Sequence, residues 1–446
     1  MKTIRIKKSV RFNLAGRPSV RVEDRFGVGN VAMVCDGIPF IKPRLLVEIN
    51  DRIRIGTPLF EDKTRSELKF VSPGGGTVTE VNYGPRRVLE SIVINIDDDE
   101  PHENFEVLST AGIASASRDD IIQRLLDGGM WSCIRELPFR NIADPGLVPA
   151  AIWVNLDGDD PYQPRSEVYL KGTLSFFETG ISVLQKIAEP VHVCAAADAS
   201  LASNGRARLV THRVSGGYPA NDPGVAVYHT RKTPEDNRVW YIGGQDVVRI
   251  ARFLTIGKYP TEKIIAVSAP EADDCRHVKT RIGAPLADLV AGAYDQALHQ
   301  WITGGIFTGT TRSKDGFLGI TDASLMIAPA LRVRELFSFL RPGFDRPTYS
   351  RAFLSVFNRS PFPIDTDMHG EERACINCGT CTRVCPVDIL PQFAYKSIYA
   401  DEIEEALKHG LLDCVECGLC AYVCPSKIEL SQALIAAKHQ YFMERD

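Results

Sequence analysis

Eight of the twelve cysteines in this 446-residue chain fall into two copies of one spacing near its end. The first copy is Cys375-Ile-Asn-Cys378-Gly-Thr-Cys381-Thr-Arg-Val-Cys385-Pro386, and the second is Cys414-Val-Glu-Cys417-Gly-Leu-Cys420-Ala-Tyr-Val-Cys424-Pro425. Three thiolates at two-residue gaps can wrap one corner of a cubane [4Fe–4S] cluster, and the fourth, followed by proline, reaches the neighbouring cluster. The expected metal ligands are Cys375, Cys378, Cys381 and Cys424 for one cluster, and Cys414, Cys417, Cys420 and Cys385 for the other. Gly379 and Gly418 allow the tight turn because glycine tolerates positive φ, and Pro386 and Pro425 lead the chain away without an unsatisfied donor. Structural zinc sites need only two C-x2-C pairs, and disulfides belong to small secreted scaffolds. The chemistry this pattern supports is one-electron transfer. No residue stands out as a general base or nucleophile, so no catalytic residue is assigned.

The composition places few further demands. A hydrophobic share of 44%, a charged share of 24% and a net charge of −4 describe an ordinary globular chain with no reason to expect nucleic acid as a partner. Cys35, Cys133, Cys194 and Cys275 are scattered and read as small buried hydrophobes. No apolar run approaches the ~18 residues that span a bilayer, and the basic N-terminus lacks the apolar core of a signal peptide. The expectation is a peripheral protein without a transmembrane segment, tied to a membrane only through other subunits.

Several elements must position the cysteines. Residues 1–22 carry seven Lys or Arg and read as a solvated β-segment. Short alternating stretches from about residue 30 to 97, broken by Gly and Pro, predict an N-terminal β barrel-sandwich in residues 1–100. EINDRIRIG and VSPGGGTV give it a biotinyl/lipoyl-type look, with Lys63 and Lys69 near the hairpin that such domains modify; neither has the flanking signature, so both read as surface lysines. The polar run 97–102 is a linker. SRDDIIQRLLDGG predicts a helix capped by Ser117, and strands at 150–156, 191–197, 207–214, 225–230 and 238–244 alternate with helices at 179–189 and 245–254. That alternation predicts a Rossmann-like α/β domain over residues 101–255. No G-x-G-x-x-G occurs, and Gly216-Gly217 and Gly243-Gly244 read as turns. Residues 256–340 suggest a β-grasp domain, strand pairs around one helix in the RHVKTRIGAPLADLVAG stretch plus a return strand, with Gly304-Gly305 and Gly309 serving close backbone approach. Residues 341–446 complete a multidomain α/β protein with a mainly helical, ferredoxin-like domain for two clusters; DEIEEALKHG is a helix stopped by Gly410.

The order of these segments resembles the A subunit of the Na+-translocating NADH:quinone oxidoreductase, in EINDRIRIG, GVAVYHT, RVWYIGGQDVVRIARFL and WITGGIFTGT. It is similar, more distantly, to the C subunit of Rnf-type complexes and the flavoprotein subunit of complex I. Those relatives hold flavin and NADH on a GGAGFP-type loop, whereas the matching place here is Gly128-Gly129-Met130-Trp131-Ser132-Cys133-Ile134-Arg135. No flavin or nucleotide is therefore expected on this chain. Better-known members of the A-subunit family lack most cluster cysteines, and this chain keeps all eight. The resemblance implies a peripheral subunit on the cytoplasmic face of the membrane, with the membrane and flavin subunits of the complex, and quinone, as partners. The isolated chain is expected not to turn over. The alternative is the C subunit of an Rnf-type complex, which exchanges electrons with NADH itself.

Overall fold

The structure is a computed structural model that describes residues 1–446 apart from 159, 200–206, 271–273, 331–341, 345–347, 350–352, 365, 367–370 and 446. Residues 331–340, the end of the stretch expected to hold the β-grasp and return strand, and part of the linker after 341 therefore lie outside the described residues.

The first 24 residues, assigned to the barrel on sequence grounds, pair elsewhere. β1 (Lys2–Arg5) and β2 (Ser19–Asp24) join two different sheets of later domains. Along this extended stretch the pleat sends alternate side chains to opposite faces. Ile4 and Ile6 are buried, while Arg5, Lys7, Arg11, Arg17 and Arg21 are exposed and ion-paired to no other described residue. The basic face is solvated.

The barrel-sandwich follows, with β3 (Asn30–Val34), β4 (Pro43–Leu45), β5 (Arg52–Ile53), β6 (Pro58–Asp62), β7 (Lys69–Val71), β8 (Gly76–Tyr83) and β9 (Leu89–Ile96). They form sheets of order β3-β9-β8-β5 and β4-β6-β7. Lys63 is exposed just past β6, and Lys69 lies within β7 opposite Glu61.

In the second domain, α1 (Thr110–Ser115) and α2 (Arg118–Asp127) precede a short edge strand, β10 (Arg135–Glu136). Ser117 caps α2 by accepting from the Asp120 amide, as its sequence predicts. The remainder is β11 (Ile152–Asn155), α3 (Ser166–Tyr169), α4 (Leu174–Ile187), β12 (Val191–Ala196), β13 (His212–Ser215), α5 (Pro223–Thr230), β14 (Trp240–Gly243) and α6 (Gly244–Ile256). The sheet order is β1-β13-β12-β11-β14-β10, parallel except for β10. The stretch 225–230, read as a strand from its β-branched residues, is helix α5. Asp222 caps it through the Gly224 amide and Pro223 opens its first turn. Val225, Ala226 and Val227 are all buried, and a helix buried on several sides shows no amphipathic stripe.

The third domain runs β15 (Glu262–Ser268), β16 (Arg276–Arg281), β17 (His299–Thr303), β18 (Thr310–Arg312) and β19 (Ser324–Pro329), with sheet order β18-β17-β19-β15-β16-β2. The stretch expected to supply a helix is β16 followed by one 3-10 turn at Leu286–Leu289; Pro285 and the glycines around it leave no room for a longer helix. Buried Asp274 ties this domain together, accepting from Arg276 at 2.5 Å, Tyr294 at 2.7 Å and the amides of Ala291 and Gly292 at 2.9 Å. Burial alone would raise its pKa, but these donors outweigh burial and lower it to about 2. A depressed carboxylate stabilises above its unfolded pKa of about 3.9, and the contribution is lost as pH falls toward 2. Acid unfolding followed by circular dichroism is expected to steepen between about pH 4 and 2 in the parent and to be flatter there in Asp274→Asn.

The last domain is helical: α7 (Thr380–Val384), α8 (Pro391–Tyr399), α9 (Ile403–Lys408), α10 (Leu419–Tyr422) and α11 (Leu430–Arg445). It does not hang free. Val387, Ile389, Ala406, Leu411, Val415, Leu434 and Ala437 share one apolar core with Ile4, Ile6, Val225, Val227 and Val239 of the parallel-sheet domain.

Candidate iron–sulfur centres and their docking

The two cysteine runs adopt the same backbone thirty-nine residues apart. Positive φ occurs at Asn377 and Glu416, Gly379 and Gly418, and Asp388 and Lys427. α7 and α8 recur as α10 and α11 at the same offset. The repeat is already present in the spacing of Cys375 and Cys414 and extends well beyond the motifs, which sequence reading did not follow.

Each run contributes three thiols to one cavity and its fourth to the other. Cys375, Cys378, Cys381 and Cys424 line one, together with Gln392 and Ile428. Cys414, Cys417, Cys420 and Cys385 line the second, together with Val387 and Leu434. The empty space, counting what opens to solvent, is about 320 Å³ in the first and 360 Å³ in the second. A single zinc ion holds its sulfurs at about 2.3 Å, and among the described residues no three Cys, His, Asp or Glu side chains converge that tightly. The thiols surround a volume instead of a point. Backbone amides of Thr380, Val387, Ile389, Glu416 and Leu419 bond to the sulfurs and favour thiolates. A soft donor set around a cavity, met by N–H groups, fits a multi-iron cluster.

The two cavities differ in what surrounds their thiols. Cys378 is exposed, and the Thr380 hydroxyl and amide lower its pKa. Burial raises Cys381 in the same cavity, pushes Cys385 of the second up to about 11, and raises Cys414, Cys417 and Cys420. The second loop is also gripped from outside. Arg140 donates to Val415 O and to Asp222, both at 2.8 Å, and Lys438, fully buried, donates at 2.9 Å to Cys414 O and Pro138 O and pairs with Glu416. The Tyr218 hydroxyl donates to Cys417 O at 2.5 Å. Over that tyrosine stacks Phe307, at 4.7 Å, itself 4.8 Å from Phe12 and in edge contact with Tyr422 at 5.7 Å.

Phe307 belongs to the 304–309 loop, which grips the second domain at the end where its parallel strands finish. Asp160 is buried there, and its carboxylate accepts from the amides of Ile306 (2.7 Å), Phe307 (3.2 Å) and Thr308 (3.2 Å) and from the Thr308 hydroxyl (2.9 Å). A Cβ on Gly309 would lie 2.2 Å from Gly305 O, which accounts for the glycines. Asp160→Ala is expected to leave these amides without an acceptor, cost about 2 kcal/mol and speed hydrogen exchange at residues 306–308.

A phosphate at this edge would need bare amides at the start of α6. There a Cβ on Gly244 would meet the Tyr169 hydroxyl at 2.4 Å, and Asp246 already occupies the first turn, paired with Arg249 at 2.8 Å. Gly128 and Gly129 pack on Phe253 and Val71, and Trp131 is buried, donating to Ala143 O at 2.8 Å. Cys35, Cys194 and Cys275 are buried, and Cys133 lies 3.6 Å from Arg249.

Comparison with known proteins finds matches along most of the chain. Residues 4–97 match a family model described as the NqrA N-terminal barrel-sandwich hybrid domain, 116–259 the NqrA second alpha/beta domain, 264–314 the NQRA C-terminal domain, and 368–428 a 4Fe-4S dicluster domain. Over 92% of both chains, the sequence is 32% identical to the A subunit of the Na+-translocating NADH-quinone reductase of Saccharophagus degradans. This chain belongs to the NqrA family, the A subunits of Na+-translocating NADH-quinone reductases. The NqrA of Klebsiella pneumoniae is 32% identical and that of Actinobacillus pleuropneumoniae 31%, each again over 92% of both chains. A solved NAD+-reducing [NiFe]-hydrogenase overlaps 76% of this chain and 63% of its own at 14% identity and a TM-score of 0.34, too loosely to bear on function. Within the NqrA family the relatives are subunits of an oxidoreductase, and the Rnf-type alternative is not favoured. No helix among the described residues is long and apolar enough to cross a membrane.

Proposed function

We propose that this chain is the electron-carrying peripheral subunit of a Na+-translocating NADH:quinone reductase, on the cytoplasmic face of the membrane beside the membrane and flavin subunits, with quinone as the complex's acceptor. It holds two [4Fe–4S] clusters, one on Cys375, Cys378, Cys381 and Cys424 and one on Cys414, Cys417, Cys420 and Cys385. The observation that carries this reading is the exchange of the fourth thiol between two cavities of similar size. Clusters of this kind supply one-electron steps at potentials that hydrogen bonds and burial tune. The protein's own contribution is to present amides to the sulfurs, bring one site to the surface through Cys378, and hold the loop of the other through Tyr218, Arg140 and Lys438.

The parallel sheet supports a Rossmann-like domain, since β13-β12-β11-β14 has the 3-2-1-4 order. The order β16-β15-β19-β17, with β15 and β19 parallel, supports a β-grasp. The absence of flavin and NADH from this chain is inferred from a crevice filled by Tyr169, Asp246 and the Asp160 clasp. Anaerobic purification of the complex, with metals and flavin counted for this subunit, tests the whole reading. About eight iron and eight sulfide per chain with no flavin is the expected result. Zinc in place of iron would overturn the cluster reading, and bound flavin bleached by NADH would overturn the nucleotide-free one.

A further inference from the structure

A cavity of about 520 Å³ opens at the opposite edge of the parallel sheet, where the strands begin. It is remote from the crevice just described and rests on neither the cluster nor the nucleotide reading. Its wall is aromatic. In the parallel register Trp153 stands beside His192, and His212 opens the next strand. The three rings pack within 4.7–5.2 Å of one another, the two imidazoles edge to face at 4.8 Å.

Its rim is cationic. Lys2 pairs in register with His212, so β1 brings the lysine to the mouth. Lys232 enters from the segment after α5. Arg231 is already neutralised by Asp413, at 2.6 and 2.9 Å. Among the described residues Asp236 is the one acid lining the cavity; it is held by the amides of Lys232 and Thr233 at 2.8 and 3.1 Å, and Lys232 also favours its charged form. Lys2 and Lys232 form no ion pair with another described residue. Burial first, then His192, Lys2 and the chain terminus, bring His212 down to about 4, and burial and Lys2 lower His192, so both rings are neutral at pH 7.

An aromatic wall beneath unpaired ammonium groups suits one kind of guest. Pockets of this volume take small organic molecules, rings stack on rings, and an acid group offsets Lys2 and Lys232, for which Asp236 supplies one carboxylate among the described lining residues. We propose that this cavity binds a planar organic anion, an aromatic ring system bearing one carboxylate or phosphate ester, with the ring against Trp153, His192 and His212 and the acid between Lys2 and Lys232.

Calorimetric titration of the full chain tests this with four probes. 2-Naphthoate and 1-naphthyl phosphate carry both features, inorganic phosphate carries charge alone, and 2-naphthalenemethanol carries the ring alone. At least one of the first two is expected to bind about tenfold or more tighter than either control, and which one does so separates a carboxylate from a phosphate ester. Lys2→Ala with Lys232→Ala is expected to weaken that binding about tenfold; both side chains are exposed, and a thermal melt checks the fold. A bound anion would favour imidazolium and raise the His212 pKa from about 4, so the affinity for 2-naphthoate is expected to rise as pH falls from about 6.5 to 5, and His212→Gln to flatten that rise. Controls that bind as tightly as the naphthyl acids, no heat up to millimolar ligand, or lysine variants with unchanged affinity would each overturn the proposal.

Discussion

Cys417→Ser is expected to remove one cluster and loosen the whole C-terminal domain, whereas Cys378→Ser removes the other cluster and leaves the fold nearly intact. Both variants lose a thiolate ligand, so each should fall from about eight to about four iron per chain and should interrupt electron flow through the protein. The difference lies in what surrounds each loop. Cys378 faces solvent, and its loop is tied mainly within its own domain, through Arg373 N to Ser426 O and Ser426 Oγ to Ala374 O. Carbonyls of the Cys414–Cys420 loop instead accept from Arg140, Tyr218 and Lys438, residues distant in the chain or on α11. An empty second cavity would leave those buried donors facing a collapsed loop. Iron and sulfide counts, electron paramagnetic resonance and thermal unfolding would be measured on both variants. An equal loss of melting temperature in the two, or undiminished iron in either, would sink this account.

Lys438→Met should be the most destabilising single change away from the cysteines, by about 3–5 kcal/mol. The ammonium is fully buried and has three partners: Pro138 O, Cys414 O and the Glu416 carboxylate. Without it, two half-buried carbonyls lose their donor and, among the described residues, Glu416 keeps only Arg140, 3.8 Å away. Adding Glu416→Gln should recover part of the loss, because an uncompensated charge costs more than an unpaired amide. Urea unfolding of the parent, the single variant and the double variant would measure this. A single-variant loss below about 1 kcal/mol would show that the apolar contacts of Val415 and Leu434 hold the domain without the ion pair.

The positions misread from sequence share a cause. Residues 225–230 resemble a strand because Val, Tyr and Thr favour pleated structure. They fold as α5 because Asp222 and Pro223 start a helix there and the sheet and the cluster domain cover it from two sides. Residues 2–24 directly precede the barrel and read as part of it. Their partners, His212 to Ser215 and Arg276 to Lys279, lie some two hundred and more residues on and leave no local trace. Arg140 and Lys438 have the local setting of ordinary surface cations, and only the fold brings them under one cysteine loop.

The sequence by itself determined what is local: thiols at fixed gaps, glycines at Gly379 and Gly418 where φ is positive, and the Ser117 cap. Each of these depends on a handful of consecutive residues, whose own geometry sets the outcome. Domain packing set which cysteine loop is held by distant side chains, which sheet takes the first strand, and that Asp160 and Tyr169 crowd the crevice of the parallel sheet. Those outcomes depend on burial and on partners far away in the chain, and the desolvation that makes a buried charge or thiol behave differently exists only once the domains have packed.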